Sequence, residues 1–189
     1  MKLFHLDNID VDARYCCVDV AVSCISELIE GTPALPVMEE DDEDVLDLQM
    51  DEDEGGLELG DYVPNPDGIL PLRKACAEAI IAGFDVGEHE LLPARLINEK
   101  ERVHSDDYVV LNPLGEHDCL DRARSEMDGS TFDPTVQLMG KWCVSAKKVP
   151  ALDLFRVECV EGYVLSERLV AFLESEGFTN FHFKPVTIC

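Results

Sequence analysis

Cations are what this chain has least of: 15 Lys and Arg stand against 40 Asp and Glu, a net charge of −25. From Tyr15 to Leu72 there is no Lys or Arg at all. A chain so poor in positive charge repels phosphate instead of gripping it, which argues against direct nucleic-acid binding, and anionic membrane surfaces are disfavoured on the same ground. Long apolar runs are also missing, since nothing approaches the ~20 residues a membrane-spanning helix needs. The opening Met1-Lys2-Leu3-Phe4-His5-Leu6-Asp7 meets an acid before any apolar export region forms, so a cytoplasmic location is expected. No internal repeat stands out.

Catalytic signatures are absent too. There is no Gly-rich phosphate loop, no Gly-x-Ser-x-Gly elbow and no His-Glu-x-x-His. The single tryptophan, Trp142, sits in a strand-like run and reads as core or interface. Metal signals are fragments. Asp51-Glu52-Asp53-Glu54-Gly55-Gly56 begins like a calcium loop, but Leu59 and Tyr62 fall where later ligands are required. His117 and Cys119 lack the Cys-x-x-Cys partner of a zinc site and read as a surface histidine beside a buried cysteine. Carboxylate pairs such as Asp106 with Asp107, or Asp118 with Asp121, are expected by chance among so many acids. Neither a cofactor nor a metal is expected, and no enzymatic activity.

The eight cysteines do not follow disulfide-scaffold spacing, and reduced thiols serving as small core residues are expected. In Cys16-Cys17, strand geometry would send one side chain inward and leave the other outside.

What the chain has in excess is clustered acid. Eleven of the sixteen residues from 39 to 54 are carboxylates: Glu39, Glu40, Asp41, Asp42, Glu43, Asp44, Asp47, Asp51, Glu52, Asp53 and Glu54. Such a run repels itself and projects a strong field towards anything basic. Residues 39–56 are therefore read as a solvated, flexible insertion in one domain spanning 1–189. Its acids are the candidate partner-binding residues, and Val45, Leu46, Leu48 and Met50 are apolar anchors that order on binding.

With 46% hydrophobic residues the chain buries a core in spite of its charge. Met1–Leu6 reads as a strand. Tyr15–Ile25 is strand or buried helix, which a short apolar run does not settle. A helix is expected to open at Pro71 and stop at Gly83. Strands are expected at Leu91–Ile97, Tyr108–Leu111, Gln137–Val144, Leu154–Cys159 and Phe178–Val186. Asp118 or Cys119 should begin a short helical stretch through Glu126. Ser166 is the expected N-cap of a helix burying Leu169, Val170, Phe172 and Leu173 and closed by Gly177. Elements mixed without a regular βαβ alternation predict an α+β fold, with a mixed, mainly antiparallel sheet and a few packed helices.

From Leu59 onward a succession of short motifs is recognisable. Gly60-Asp61-Tyr62 leads into the helix after Pro71, and Leu92-Pro93-Ala94-Arg95-Leu96 follows. Then come Asp107-Tyr108-Val109-Val110-Leu111-Asn112-Pro113, Cys119-Leu120-Asp121-Arg122-Ala123-Arg124-Ser125 and Leu154-Phe155-Arg156-Val157. Val164-Leu165-Ser166-Glu167-Arg168-Leu169 and Gly177-Phe178-Thr179-Asn180-Phe181-His182-Phe183 close the series. In this order they resemble the bacterial immunity proteins of family eleven, which are encoded beside polymorphic toxins. The resemblance implies neutralisation of a cognate toxin by binding. The acidic run is not a mark of that family, and Asn180 stands where most members have glycine. Joined to the charge, it predicts an immunity protein that masks a basic toxin, a nuclease foremost. The alternative is an acidic regulatory or scaffold protein that binds a basic partner within its own cell.

Overall fold

The computed structural model describes residues 1–7, 14–41, 44–51, 56–126 and 141–189. In chain order the elements are β1 (Leu3–Leu6), β2 (Cys17–Asp19), α1 (Ile25–Glu30), α2 (Leu35–Glu40), β3 (Leu46–Asp51), β4 (Pro71–Arg73) and α3 (Lys74–Gly83). They continue with β5 (His89–Ile97), β6 (Val103–Pro113), β7 (Glu116–His117), β8 (Cys143–Val144), β9 (Leu154–Val157), β10 (Val164–Ser166), α4 (Glu167–Glu176) and β11 (Phe183–Ile188). Short helices and mostly antiparallel strands make the α+β fold that the sequence predicts.

The first sheet has the order β2-β3-β5-β6-β4, with only the β3–β5 pair parallel. Its two edges are joined by residues 56–64. On one side Cys16 N–H donates to the Glu58 carbonyl (2.8 Å) and Val18 N–H to that of Pro64 (3.1 Å). On the other, Val63 N–H reaches the Pro71 carbonyl (3.1 Å) and Arg73 N–H that of Asp61 (2.8 Å). The sheet thus closes into a ring, and no backbone edge of it stands open along these residues. Val18, Leu46, Leu48, Met50, Val63, Leu92, Ala94, Leu96, Tyr108 and Val110 fill it, with Leu28 of α1 and Met38 of α2 in the same cluster.

The second sheet, β7-β9-β10-β1-β11-β8, closes in the same way. Immediately after β7 the chain crosses to the opposite edge, where Ser145 N–H donates to the Cys119 carbonyl (2.8 Å) and Asp121 N–H to that of Cys143 (2.9 Å). Leu3, Leu120, Val144, Phe155, Val157 and Val164 form its core. A third cluster lies between the rings, where Ile80 of α3 and Leu169 and Leu173 of α4 pack with Tyr62, Leu72, Leu111, Leu154 and Leu165.

The two rings share one plan. In the first, β4, β6, β5, β3 and β2 follow in the senses antiparallel, antiparallel, parallel, antiparallel. In the second, β10, β1, β11, β8 and Leu120 follow in the same senses. Tyr62 pairs antiparallel with β4 as β9 pairs with β10, and Glu58 runs parallel to Tyr15 as β9 does to β7. Strand β1 takes in the second ring the place that β6 takes in the first. The expectation of no internal repeat is therefore corrected at the level of the fold. Faint sequence traces exist: Gly68 and Gly162, both with positive φ, precede Gly83-Phe84 and Gly177-Phe178 by the same interval.

Reciprocal clamps lock the halves. Thr179, just after α4, donates its N–H to Asp61 (2.8 Å), and Asp85, just after α3, donates its own to Asp153 (3.0 Å). Each carboxylate also faces an arginine of its own half, Arg73 (3.4 Å) or Arg168.

Several local expectations shift. Pro71 begins a strand, and the helix starts three residues later because Arg73 is still extended (ψ 138°). The segment from Asp118 to Glu126 is a turn rather than a helix. Residues 15–25 divide into β2 and the entry to α1, and the last strand begins at Phe183, not Phe178. Residues 137–140 lie outside the described part. Ser166 caps α4 as expected, accepting from Leu169 N–H (3.2 Å), a contact worth ~1 kcal/mol. Gly177 ends α4 at φ 76°.

Candidate functional site

The acidic run does not behave as a flexible arm over its described part. Glu39 and Glu40 form the last turn of α2, and Leu46–Asp51 is an interior strand of the first ring. The reason is the period-two alternation of Leu46-Asp47-Leu48-Gln49-Met50-Asp51. Leu46, Leu48 and Met50 are fully buried in the ring core, so they are not available as anchors for a partner. Burying three such side chains contributes several kcal/mol, about 1.5–3 each, enough to hold an acidic strand in place. Asp47 is sent to the outer face, with Gln49 and Asp51 alternating on the same side.

Of the predicted binding residues, Glu39, Glu40, Asp41, Asp44 and Asp47 are exposed and Asp51 is half-buried. They lie at the end of α2, just after it at Asp41, just before β3 at Asp44, and on the outer side of β3. Asp42, Glu43, Glu52, Asp53 and Glu54 lie outside the described residues. Asp19 of β2, opposite Gln49, adds a carboxylate to the same face. Arg95 of β5, opposite Asp47, bonds it in a two-pronged pair (Nη2 to Oδ2 3.0 Å). Leu91 and Pro93 of β5 are exposed beside it, giving the face an apolar strip.

In the second half of the molecule ion pairs like Asp47–Arg95 are more frequent among the described residues. Asp118 is paired with Lys148 (2.7 Å), which holds its carboxyl below the usual range. Glu167 meets Lys2 (2.6 Å), Glu158 meets Arg122 (3.5 Å), and Asp7 meets Lys184. Bases are spread among these acids, so the negative field concentrates on the first ring.

Buried polar groups brace this surface from behind. Glu90, on β5, accepts from the Ala34 N–H (2.8 Å) and Leu35 N–H (3.3 Å) that open α2, and Asn112 Nδ2 donates to it (3.1 Å). A carboxylate there satisfies donors that the helix leaves without partners. Arg156 of β9 reaches the last carbonyls of α1, Ile29 (3.1 Å) and Leu28 (2.5 Å), and lies over the Tyr163 ring at 4.4 Å. None of these was legible from residue spacing. The matched intervals around the two Gly-Phe pairs were the one signal that pointed towards the clamps. They mark the donor positions Asp85 and Thr179, not Asp61 and Asp153, which stand at unequal distances from the glycines.

The other candidates resolve plainly. Cys16 and Cys17 are both buried, so the expectation that one faces out is corrected. Cys17 alternates away from the ring core yet keeps only 8% of its surface exposed, its thiol donating to the Asp51 carbonyl (3.8 Å). Burial pushes the Cys76 thiol up to about 12 and the Cys119 thiol up to about 11, with Asp61 and Asp118 adding to the respective shifts, which leaves both poor nucleophiles. Cys143 and Cys189, expected as reduced core thiols, form a disulfide. His117 sets its edge against the Phe155 ring (5.8 Å). Tyr62, at the last position of the calcium-like segment, is fully buried. A cleft of about 220 Å³ between Gly87, Glu88, Gly115, His117, Leu152 and Phe155 lies away from the acidic stretch. Among the described residues no helix is long and apolar enough to cross a membrane.

No protein-family model matches the chain, and no curated protein does.

Proposed function

We propose that this chain is an immunity protein that binds a cognate basic toxin, a nuclease foremost, and neutralises it by stoichiometric masking in the cytoplasm. The observation that carries the reading is the outward side of β3, where Asp47 is exposed and Asp51 half-exposed while the alternate residues are locked in the core, with Asp44 exposed just before the strand. A fixed acidic face loses little conformational freedom on docking, and its field speeds encounter with a basic groove, towards ~10⁸–10⁹ M⁻¹s⁻¹ at low salt. Concentration of charge on one half of the molecule, and the motif succession from Gly60 to Phe183, support the same reading. No chemistry is required of the chain.

The test is co-expression of this protein with the C-terminal domain of the toxin-like gene beside it, scoring survival and nucleic-acid integrity. Survival with this chain, and degraded DNA or RNA without it, is the expected result. Failure to protect against a toxin shown to be active would overturn the immunity reading for that pair. A regulatory or scaffold role with a basic partner in its own cell would then take its place.

A further inference from the structure

We propose that Asp121, Cys143 and Cys189 form a redox-gated metal site, closed by the disulfide when oxidised and able to take a thiophilic divalent cation of the zinc class when reduced. A carboxylate oxygen of Asp121 and the two sulfurs lie within 4.8 Å of one another. Tetrahedral zinc holds sulfur at about 2.3 Å and carboxylate oxygen at about 2.0–2.2 Å, which places neighbouring donors roughly 3.5–4 Å apart. Opening the S–S bond and a small side-chain rotation reach that spacing.

The backbone keeps the three donors together without the covalent bond. Cys143 and Thr187 are register partners in the parallel β8–β11 pair. Cys189 N–H donates to the Val144 carbonyl (2.9 Å), Ala146 N–H to that of Cys189 (3.1 Å), and Asp121 N–H to that of Cys143 (2.9 Å). Between the equivalent strands of the first ring, β3 and β5, the cross-link is the Asp47–Arg95 ion pair, so this kind of ring closes without a disulfide. Ala123 N–H (3.2 Å) and Arg124 (3.8 Å) hold the Asp121 carboxylate, as outer partners orient a ligating carboxylate. Cys189 and Asp121 are only half-buried, which leaves a fourth position open to water.

A dithiol reductant gives two electrons and two protons to the Cys143–Cys189 bond and is itself oxidised to a disulfide. The cation then displaces both thiol protons as two metal–sulfur bonds form, while Asp121 supplies oxygen. In a reducing compartment the pair is held open for metal. A disulfide oxidant takes two electrons from the two metal-bound thiolates and is itself reduced to a dithiol, and the re-formed Cys143–Cys189 bond releases the cation. This inference stands independently of the proposed toxin binding.

The test titrates cobalt(II) into the full chain, once oxidised and once reduced with a phosphine and freed of metal. Reduced protein should bind one equivalent, show the sulfur-to-cobalt charge-transfer band, and lose the band on addition of zinc. Oxidised protein should show none. Asp121→Asn, which keeps both cysteines, should weaken binding at least tenfold, and Cys143→Ser with Cys189→Ser should abolish the band. The proposal is overturned if the reduced chain takes up no cobalt, if oxidation does not prevent uptake, or if Asp121→Asn leaves affinity unchanged. That last comparison decides even if the double variant fails to fold.

Discussion

A guanidinium removed from water needs acceptors, and Arg156, with no carboxylate bonded to it among the described residues, takes them from the end of α1. The Leu28 and Ile29 carbonyls are groups the helix leaves unsatisfied, and the helix dipole adds favourable potential there. The contact is tight. A Cβ on Gly31, at φ 65°, would meet Arg156 Cδ at 2.9 Å. Replacing Arg156 by Met strands the two carbonyls and the Tyr163 hydroxyl, and is expected to cost about 2–4 kcal/mol in urea unfolding. Gly31→Ala should cost about 1–2 kcal/mol by strain and clash. Asp153 provides a pH signature. Burial alone would raise its pKa, but bonds from Arg168, Ser166 and Asp85 N–H outweigh that, and the folded value lies below 3.8. Its stabilisation is therefore complete above 3.8 and is lost as pH falls through the depressed folded value. Asp153→Asn should lower the melting temperature near neutral pH and flatten its decline towards about pH 2. An unchanged acid limb would show that the carboxylate is not held as described.

Among the elements, β3 carries the largest correction. Its apolar residues alternate strictly with polar ones, which is the strand signal, yet the carboxylate tally around it favours a solvated loop. Charge says what a face does in water, while periodicity says which way it points, and burial of Leu46, Leu48 and Met50 decides. Leu48→Ala should destabilise by about 2–5 kcal/mol, whereas Asp47→Asn should cost no more than ~0.5 kcal/mol, the scale of an exposed ion pair. Urea denaturation of the two variants distinguishes a core strand from a tethered arm, in which both changes would be neutral. Helix α4 was legible from end to end because Ser166 and Gly177 are strong local signals that tertiary context leaves in place. The start of α3 was not. Pro71 is compatible with a helix start and with a strand alike, and its pairing opposite Val110 is a long-range fact.

For the whole molecule, fold class was readable from element content, whereas the paired rings were not. Their correspondence resides in strand order and sense, and in β1 joining strands from the far end of the chain. Local periodicity carries none of that. The two rings of one plan also carry different surfaces. The second ring balances its acids with bases and bears the disulfide, while the first concentrates carboxylates on its outer face. The proposed masking requires that face to act as a rigid, electrostatically steered interface. The most direct test is the association rate of the toxin domain with this chain and with a Glu39→Gln, Glu40→Gln, Asp41→Asn, Asp44→Asn, Asp47→Asn and Asp51→Asn variant, from low to high salt. A steep fall with salt for the native chain is predicted, along with a variant at least tenfold slower at low salt whose melting temperature is nearly unchanged. Equal rates and equal salt slopes for the two, both folded, would contradict it.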